Sequence, residues 1–211
     1  MRVRAAKPSD FQAVQTLVFD SHASALSARG YDVRARLPQI FPTLASADLF
    51  TAPTSHYWVA EAEEGGGDAR VVGAISIISP GPAAAVVVLN AFFVATQRRG
   101  VGSRLMTTAL AFCRAAAVKT VKLTSNRGIY DAAIGYYKRL GFRALREYEV
   151  VQGIVLLDME LELRHSTLLT YPECAGYYSE PAISSHSAST AVHCLYDMEL
   201  AHVQRPWRGG P

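Results

Sequence analysis

The sequence contains few cysteines, and their positions argue against a disulfide-stabilised protein and against a structural zinc site. Among 211 residues there are three cysteines, Cys113, Cys174 and Cys194, an odd number at wide spacing. None belongs to a Cys-x-x-Cys or Cys-x-x-His pattern, which is the spacing typical of structural zinc sites. The histidines toward the carboxyl end also lack metal-ligand spacing. We therefore predict free thiols, no disulfide framework and no bound metal.

Long apolar segments are missing as well. The stretch MRVRAAKPSDFQ at the amino terminus has no apolar run after its arginines, so we expect no secretory signal. No apolar run is long enough to cross a bilayer, and the apolar residues 83–94 have the length of a buried strand. We expect a cytoplasmic protein, with the nucleus as an alternative, and no membrane partner.

An excess of charge of one sign is also lacking. Lys and Arg number 21 against 18 Asp and Glu, a formal net charge of +3. This excess is too small to indicate nucleic-acid binding, so we expect no such partner. The composition is 50% hydrophobic and 18% charged. Such a composition is typical of a globular chain, and the length suits one domain with a real core.

One stretch combines a strand, two glycines and a helix start. Residues 86–102 read VVVLNAFFVATQRRGVG, an apolar strand followed at once by a helical pattern. A helix start leaves backbone N–H groups unpaired and favours an anion, and Gly100 and Gly102 leave the backbone open to close approach. Arg98 and Arg99 add cations at the same turn. The stretch favours a phosphate-bearing ligand, and a tight strand–helix joint with solvated arginines is the alternative.

Apolar periodicity predicts a mixed order of strands and helices. Strands are expected over residues 2–6, 57–61, 70–79, 83–94, 120–124, 144–150 and 154–163. Helices are expected over residues 10–22, 98–117 and 130–140, with a short or broken helix within 23–55. Ser9 and Gln12 form a capping-box pattern for the first helix, and the continuous apolar run of 83–94 predicts a central strand. This order predicts an α/β (α+β) fold, a mixed sheet with helices on its faces.

Two sequence motifs follow one another along the chain. The first is Gln/Arg-x-x-Gly-x-Gly/Ala at a helix start, present as QRRGVG at residues 97–102. The second is Tyr-x-x-x-Gly-Phe, present as YKRLGF at residues 137–142, on a helix that follows a strand and Asn126. In this order they resemble the motifs of the GNAT superfamily of acyl-CoA-dependent N-acyltransferases. The resemblance covers about residues 1–163 and implies a mixed, mostly antiparallel central sheet flanked by helices.

The resemblance also implies a reaction and a set of site residues. Acetyl-CoA would be the co-substrate, and an amine would attack its thioester directly in a ternary complex. Backbone groups at the strand end would bind the acetyl group and pantetheine arm, the glycine turn would bind the pyrophosphate, and Tyr137 would protonate the departing thiolate. The residues assigned to the cofactor are Phe92, Phe93, Val94, Gln97, Arg98, Arg99, Gly100, Val101, Gly102, Ser103, Asn126 and Tyr137. Helical geometry alone does not separate Tyr137 from its neighbour Tyr136.

The sequence departs from the family pattern at two places. The connection from Val94 of the strand to Gln97 of the motif is shorter than in many members and lacks the proline that they carry there. The register of the strand end is therefore open. Many members place a glutamate base in the region of the third and fourth strands, whereas residues 83–94 of this chain contain no carboxylate and have only the amide of Asn90. Glu61 is a candidate base by residue type, and a solvated charge at a strand end is the alternative. A second hypothesis therefore remains, a non-catalytic acyl-CoA-binding or regulatory module on the same fold.

The composition changes after residue 163. Residues 164–190 are rich in Ser, Thr, Tyr, Pro and His, which predicts a flexible extension. Residues 191–203 turn apolar again, and the sequence LYDMEL at 195–200 echoes LLDMEL at 156–161, which indicates a local duplication and a possible extra strand. We therefore expect an acetyltransferase domain at 1–163 and an extension at 164–211. The acceptor is expected to be a small-molecule or protein amine, and the chain a monomer or homodimer.

Overall fold

The computed structural model of the chain has a seven-stranded mixed sheet at its centre. The structure describes residues 1–28, 30, 46–62, 69–81, 83–95, 99–151 and 154–163. In chain order the strands are β1 (Arg2–Ala5), β2 (Ser55–Ala62), β3 (Arg70–Ile78), β4 (Val86–Val94), β5 (Thr120–Arg127), β6 (Arg143–Val151) and β7 (Ile154–Glu162). Across the sheet they are arranged β1-β2-β3-β4-β5-β7-β6. The β4–β5 pair is parallel, and the other described neighbours are antiparallel.

Helices cover both faces of this sheet. They are α1 (Phe11–Ser27), α2 (Ala47–Thr51), α3 (Val101–Ala115) and α4 (Asp131–Arg139), and a 3₁₀ turn at Pro8–Asp10 precedes α1. Ala74 of β3 shares an apolar cluster with Val18 of α1. The next residue, Ile75, shares a different cluster with Leu105 of α3 and Ile134 of α4. Because successive strand residues point to opposite faces, α1 lies on one side of the sheet and α3 and α4 lie on the other.

Strands β4 and β5 pair over only a short distance. Their register runs through three residue pairs, from Val86 opposite Thr120 to Val88 opposite Lys122. Beyond that point β4 stays paired with β3 and β5 stays paired with β7. The two strands therefore diverge toward their carboxyl ends. We call the space between residues 89–94 and 123–127 the β4–β5 opening.

A bulge in β4 lies beside this opening. Ser76 of β3 pairs with Ala91, and the next residue, Ile77, pairs with Leu89, so Asn90 is an extra residue in β4. The fully buried hydroxyl oxygen of Ser76 accepts the Ala91 N–H at 3.0 Å. The bulge is thus held from the neighbouring strand by a side chain as well as by the ladder.

The expected order of elements is confirmed, with differences at the ends. Helix α1 continues to Ser27, beyond the predicted end at residue 22. The central place of β4 is confirmed, but its last residues are only half-buried because they line the opening. The expected cap at Ser9 is wrong: the Asp10 carboxylate accepts the Lys7 N–H at 2.6 Å, and the Lys7 carbonyl accepts the Asp10 N–H at 2.9 Å.

Several expectations fall on residues that the structure does not describe. The turn residues 63–68, most of the segment expected to hold a broken helix and the whole of 164–211, with its expected strand at 191–203, lie outside the described residues. None of the described helices has both the length and the apolar character that crossing a membrane requires.

Candidate functional site

Helix α3 begins directly after a glycine in a left-handed conformation. Gly100 has φ 75°, and its carbonyl accepts the Arg104 N–H at 3.1 Å in the first helical turn. The N–H groups of the first turn have no acceptor within a helix, and the dipole makes this end favourable for an anion. Arg99 is exposed beside this turn, whereas Gln97 and Arg98 lie outside the described residues. The arrangement suits a phosphate group.

The second glycine of the motif faces an aromatic ring of β4. A β carbon added to Gly102 would lie 3.0 Å from Cζ of Phe92. The Phe92 ring also contacts two tyrosines of α4, stacking on Tyr136 with centroids 6.0 Å apart and lying 6.1 Å from Tyr137. Phe92 therefore connects the start of α3 with α4 across the β4–β5 opening.

Tyr137 is the more buried of the two tyrosines. Only 6% of it is exposed, and its ring also lies 5.7 Å from that of Phe142. Burial raises the pKa of the Tyr137 phenol, and the neighbouring Tyr136 raises it further. A phenol is protonated at neutral pH at its ordinary pKa, and the upward shift strengthens this state, which is the one that an acid catalyst needs. Both tyrosines reach Phe92, so the contact alone does not choose between them, whereas burial favours Tyr137.

Two asparagines lie on the strands that border the opening. Nδ2 of Asn90 in β4 and Oδ1 of Asn126 in β5 are buried and have no hydrogen-bond partner among the described residues. A buried polar atom left unpaired costs about 1–3 kcal/mol. Atoms of this kind are suited to bind a polar ligand. The sequence assigned Asn126 to the cofactor by resemblance and did not assign Asn90.

Glu61, the candidate base, is held in an ion-pair cluster. The Arg4 guanidinium donates to Glu61, with Nε at 2.9 Å, and to both carboxylate oxygens of Asp10 at 2.7 and 2.9 Å. Hydrogen bonding from Arg4 lowers the pKa of both carboxyl groups. Glu61 lies opposite Arg2 of the edge strand β1. The cluster joins β1, β2 and the turn before α1, which is a structural arrangement.

A histidine–tyrosine pair lies beside the carboxyl end of β4, where His22 contacts Phe93. Nδ1 of His22 in α1 is 2.6 Å from the hydroxyl oxygen of Tyr130, the residue before α4. His22 is 8% exposed, and burial lowers its pKa to about 4. Sequence reasoning missed this pair, whose members are 108 residues apart. The available signal was that His22 continues the spacing of Val14 and Val18 on the buried face of α1.

The chain matches a known protein family. The profile of the acetyltransferase (GNAT) domain matches residues 27–163. The match spans well over half of the chain and includes the glycine turn, the β4–β5 opening and α4. No curated protein matches the chain.

Solved structures have the same fold at low sequence identity. PaiA N-acetyltransferase from Thermoplasma acidophilum, in complex with coenzyme A, has 15% identity and a TM-score of 0.60, over 77% of this chain and 98% of that chain. Ribosomal-protein-alanine N-acetyltransferase from Brucella melitensis has 21% identity and a TM-score of 0.56, over 77% and 100%. Aminoglycoside 6'-acetyltransferase type Ii has 14% identity and a TM-score of 0.55, over 77% and 97%.

Proposed function

This chain belongs to the GNAT family of acetyltransferases, and from that premise we propose that it transfers an acetyl group from acetyl-CoA to an amine. The amine attacks the thioester directly in a ternary complex. The observation that carries the proposal is the β4–β5 opening, which has the start of α3 and the buried Tyr137 on one side of the sheet. No metal takes part in this proposal.

The residues around the opening fit acetyl-CoA. The backbone at Arg99, Gly100, Val101, Gly102 and Ser103 holds the pyrophosphate at the start of α3, together with Gln97 and Arg98 of the same motif. The orphaned Oδ1 of Asn126 accepts a hydrogen bond from an amide of the pantetheine arm. The close approach of the Gly102 backbone to Phe92 keeps this wall of the opening free of a further side chain. When bound, acetyl-CoA supplies a thioester whose carbonyl carbon is open to attack.

The end of β4 supplies backbone donors for the acetyl group. Beyond Val88, the described part of β4 has no strand paired along its β5 side. N–H groups on that edge, in the segment containing Phe92, Phe93 and Val94, therefore polarise the acetyl carbonyl. Donors fixed in the fold stabilise the charge that develops on the oxygen without reorganising during the reaction. The bulge at Asn90 sets which of these groups face the opening.

Tyr137 acts as the acid. Its phenol carries a proton at neutral pH, as an ordinary phenol does, and burial raises its pKa further. As the carbon–sulfur bond breaks, the proton passes from the hydroxyl of Tyr137 to the departing thiolate, and solvent restores it afterwards. General acids of this kind contribute roughly 10²–10⁴-fold to a rate.

Glu61 has a structural role in this proposal. Its carboxylate is engaged by Arg4, and that bond lowers its pKa, so it is a weak base at neutral pH. The proton of the amine therefore leaves through another route, to water in the opening. The acceptor is proposed only as a class, a small-molecule or protein amine. The similar structures include both an aminoglycoside acetyltransferase and a ribosomal-protein-alanine acetyltransferase.

Two measurements test the function. Acetyl-CoA at about 100 times its Kd should raise the free energy of unfolding by about 2.7 kcal/mol, because a ligand that binds only the native state stabilises it. ATP with magnesium serves as the control ligand. Release of free thiol from acetyl-CoA is then followed with a panel of small amines and peptide amino termini. An absence of stabilisation would count against any acyl-CoA site on this chain.

The alternative is a non-catalytic acyl-CoA-binding module. It is favoured by one observation, that β4 carries Asn90 and no carboxylate, while Glu61 is paired with Arg4. The same two measurements separate it from the enzyme. Stabilisation by acetyl-CoA together with thiol release identifies an acetyltransferase. Stabilisation with no release, across primary amines, polyamines and peptides, identifies the binding module.

A further inference from the structure

The His22–Tyr130 pair connects the two strands that diverge. The ring of His22 lies edge-on to that of Phe93 at the end of β4, with centroids 4.9 Å apart. The backbone N–H of Tyr130 donates to the carbonyl of Asn126 at the end of β5, at 2.9 Å. The hydrogen bond between the two side chains, at 2.6 Å, therefore crosses from the β4 side to the β5 side of the opening.

The pair and Tyr137 lie on opposite faces of the sheet. Phe93, which contacts His22, packs on the apolar cluster beneath α1. The preceding residue, Phe92, packs on the cluster beneath α3 and α4 and contacts Tyr137. If the departing thiolate meets Tyr137 on one face, the other face is left for the attacking nucleophile. His22, which contacts Phe93, and its partner Tyr130 lie on that face.

The direction of the hydrogen bond follows from the chemistry of the two groups. Burial lowers the pKa of His22 to about 4, so its imidazole is neutral at neutral pH. Burial raises the pKa of the Tyr130 phenol, so it keeps its proton. Between a neutral phenol and a neutral imidazole, the phenol is the stronger donor and the ring nitrogen the stronger acceptor. The hydroxyl of Tyr130 therefore donates to Nδ1 of His22, and its oxygen lone pairs remain as acceptors.

From this geometry we propose that the phenolic oxygen of Tyr130 binds an N–H of the acceptor amine and that His22 is the residue that positions this hydroxyl. The inference rests on the proposed acetyl transfer and names a residue for its second substrate. A donor hydroxyl would meet the amine lone pair and block attack. With its hydrogen committed to His22, Tyr130 instead accepts an N–H and leaves the lone pair of the nitrogen free for the acetyl carbon. The arrangement selects amines over acceptors that have no hydrogen to donate.

Three substitutions separate the two roles. Tyr130→Phe removes the accepting oxygen and should lower kcat/KM for the amine about tenfold, with the Kd for acetyl-CoA changed less than twofold. His22→Leu removes the partner and should give a similar loss. His22→Asn keeps an acceptor near the position of Nδ1 and should restore part of the activity. The double variant of Tyr130→Phe and His22→Leu should have the same kcat/KM as Tyr130→Phe alone, because both changes remove the same hydrogen bond.

A matched histidine and a spectroscopic readout complete the test. His56→Leu makes the same change at a ring that contacts Phe112 of α3, with centroids 4.4 Å apart, and should leave kcat/KM unaltered. In ¹⁵N-histidine spectra the Nδ1 of His22 should be unprotonated from pH 5 to 8, with a resonance that changes in Tyr130→Phe. The inference is overturned if Nδ1 carries the proton. If wild type acetylates an amine and Tyr130→Phe does so equally well, the inference is overturned and the proposed function stands. If wild type acetylates no amine, both are overturned.

Discussion

Gly102 lies so close to the ring of Phe92 that a β carbon on it would be 3.0 Å from Cζ. Such a separation is shorter than van der Waals contact between carbons, so the ring would have to move. The Phe92 ring also contacts Tyr136 and Tyr137. A change at the start of α3 is therefore transmitted to the proposed acid on α4.

Substituting the two glycines of the motif should give different results. Gly102→Ala displaces Phe92 and should raise the KM for acetyl-CoA by about 3–10-fold while changing stability by less than about 1 kcal/mol, since alanine also favours the helix. Gly100→Ala has open space but a φ of 75°, so it should lower the free energy of unfolding by about 1–2 kcal/mol. Urea denaturation and acetyl-CoA kinetics on both variants check the pattern. Equal effects on KM would mean that Phe92 is not involved.

Replacing Tyr137 tests the acid. Tyr137→Phe removes a hydroxyl from a buried ring without changing its packing, so kcat should fall by about 10²-fold while the Kd for acetyl-CoA changes by less than about threefold. Tyr136→Phe, in the same helix and against the same Phe92 ring, is the matched control and should lose much less. Thiol release under saturating amine measures kcat. A larger loss in Tyr136→Phe would exchange the roles of the two tyrosines.

Ser76 supports the bulge in β4 from the neighbouring strand. Ser76→Ala leaves the buried Ala91 N–H without the acceptor that lies 3.0 Å away. We expect a loss of about 1–3 kcal/mol in the free energy of unfolding and a fall in kcat, because the β4 donors beside Asn90 shift. Ser79→Ala is the control, since that buried hydroxyl bonds Gly81 in the turn after β3. Ser79→Ala should reduce stability without reducing kcat. If it reduced kcat as well, the loss of kcat in Ser76→Ala could not be attributed to the bulge in β4.

The elements that sequence reasoning located have local causes. Helix α3 follows from apolar residues at helical spacing, among them Leu105 and Ala109, which are buried as that spacing requires. The end of α4 follows from Gly141, whose φ of 98° disfavours any residue with a side chain. Patterns of this kind are complete within a few residues, so the sequence alone contains them.

The features that sequence reasoning missed depend on contacts between distant residues. The bulge at Asn90 is visible only once Ser76 is opposite Ala91. His22 has no polar neighbour in sequence that indicates Tyr130 as its partner. The ion pair of Glu61 also depends on distant residues, because Arg4 reaches it only after β1 pairs with β2. Residue type suggested a base there, and the sequence alone contained no sign that Arg4 would pair with it.

Glu61→Gln distinguishes a structural carboxylate from a base. Arg4 lowers the pKa of Glu61, so the charged carboxylate is stabilised in the native state above its unfolded pKa and that stability is lost as pH falls. At pH 7 the substitution should reduce the free energy of unfolding by about 1 kcal/mol, discounted for partial exposure, and leave kcat within about twofold. Glu162→Gln, which removes an exposed pair with Arg143, should change neither. A large fall in kcat with unchanged stability would identify Glu61 as the general base.

The buried His22 should make stability depend on pH. Its pKa lies at about 4 in the folded chain against 6.5 for an ordinary histidine. Between these values the unfolded state binds more protons, so the contribution of His22 is complete above pH 6.5 and declines as pH falls to about 4. A difference of this size corresponds to about 3 kcal/mol. Phe93 and Tyr130, which contact this ring, are uncharged.

The comparison of wild type with His22→Asn isolates this contribution. Asparagine does not titrate, so the stability difference between the two proteins should shrink by about 3 kcal/mol from pH 7 to pH 4. Urea is the suitable denaturant, because a salt denaturant would screen the other charges. Asp10, whose pKa Arg4 lowers, and His56 titrate alike in both proteins and cancel in the difference. Parallel stability curves over this range would mean that the ring of His22 is accessible to protons in the folded state, and the fixed direction of its bond to Tyr130 would then be lost at mildly acidic pH.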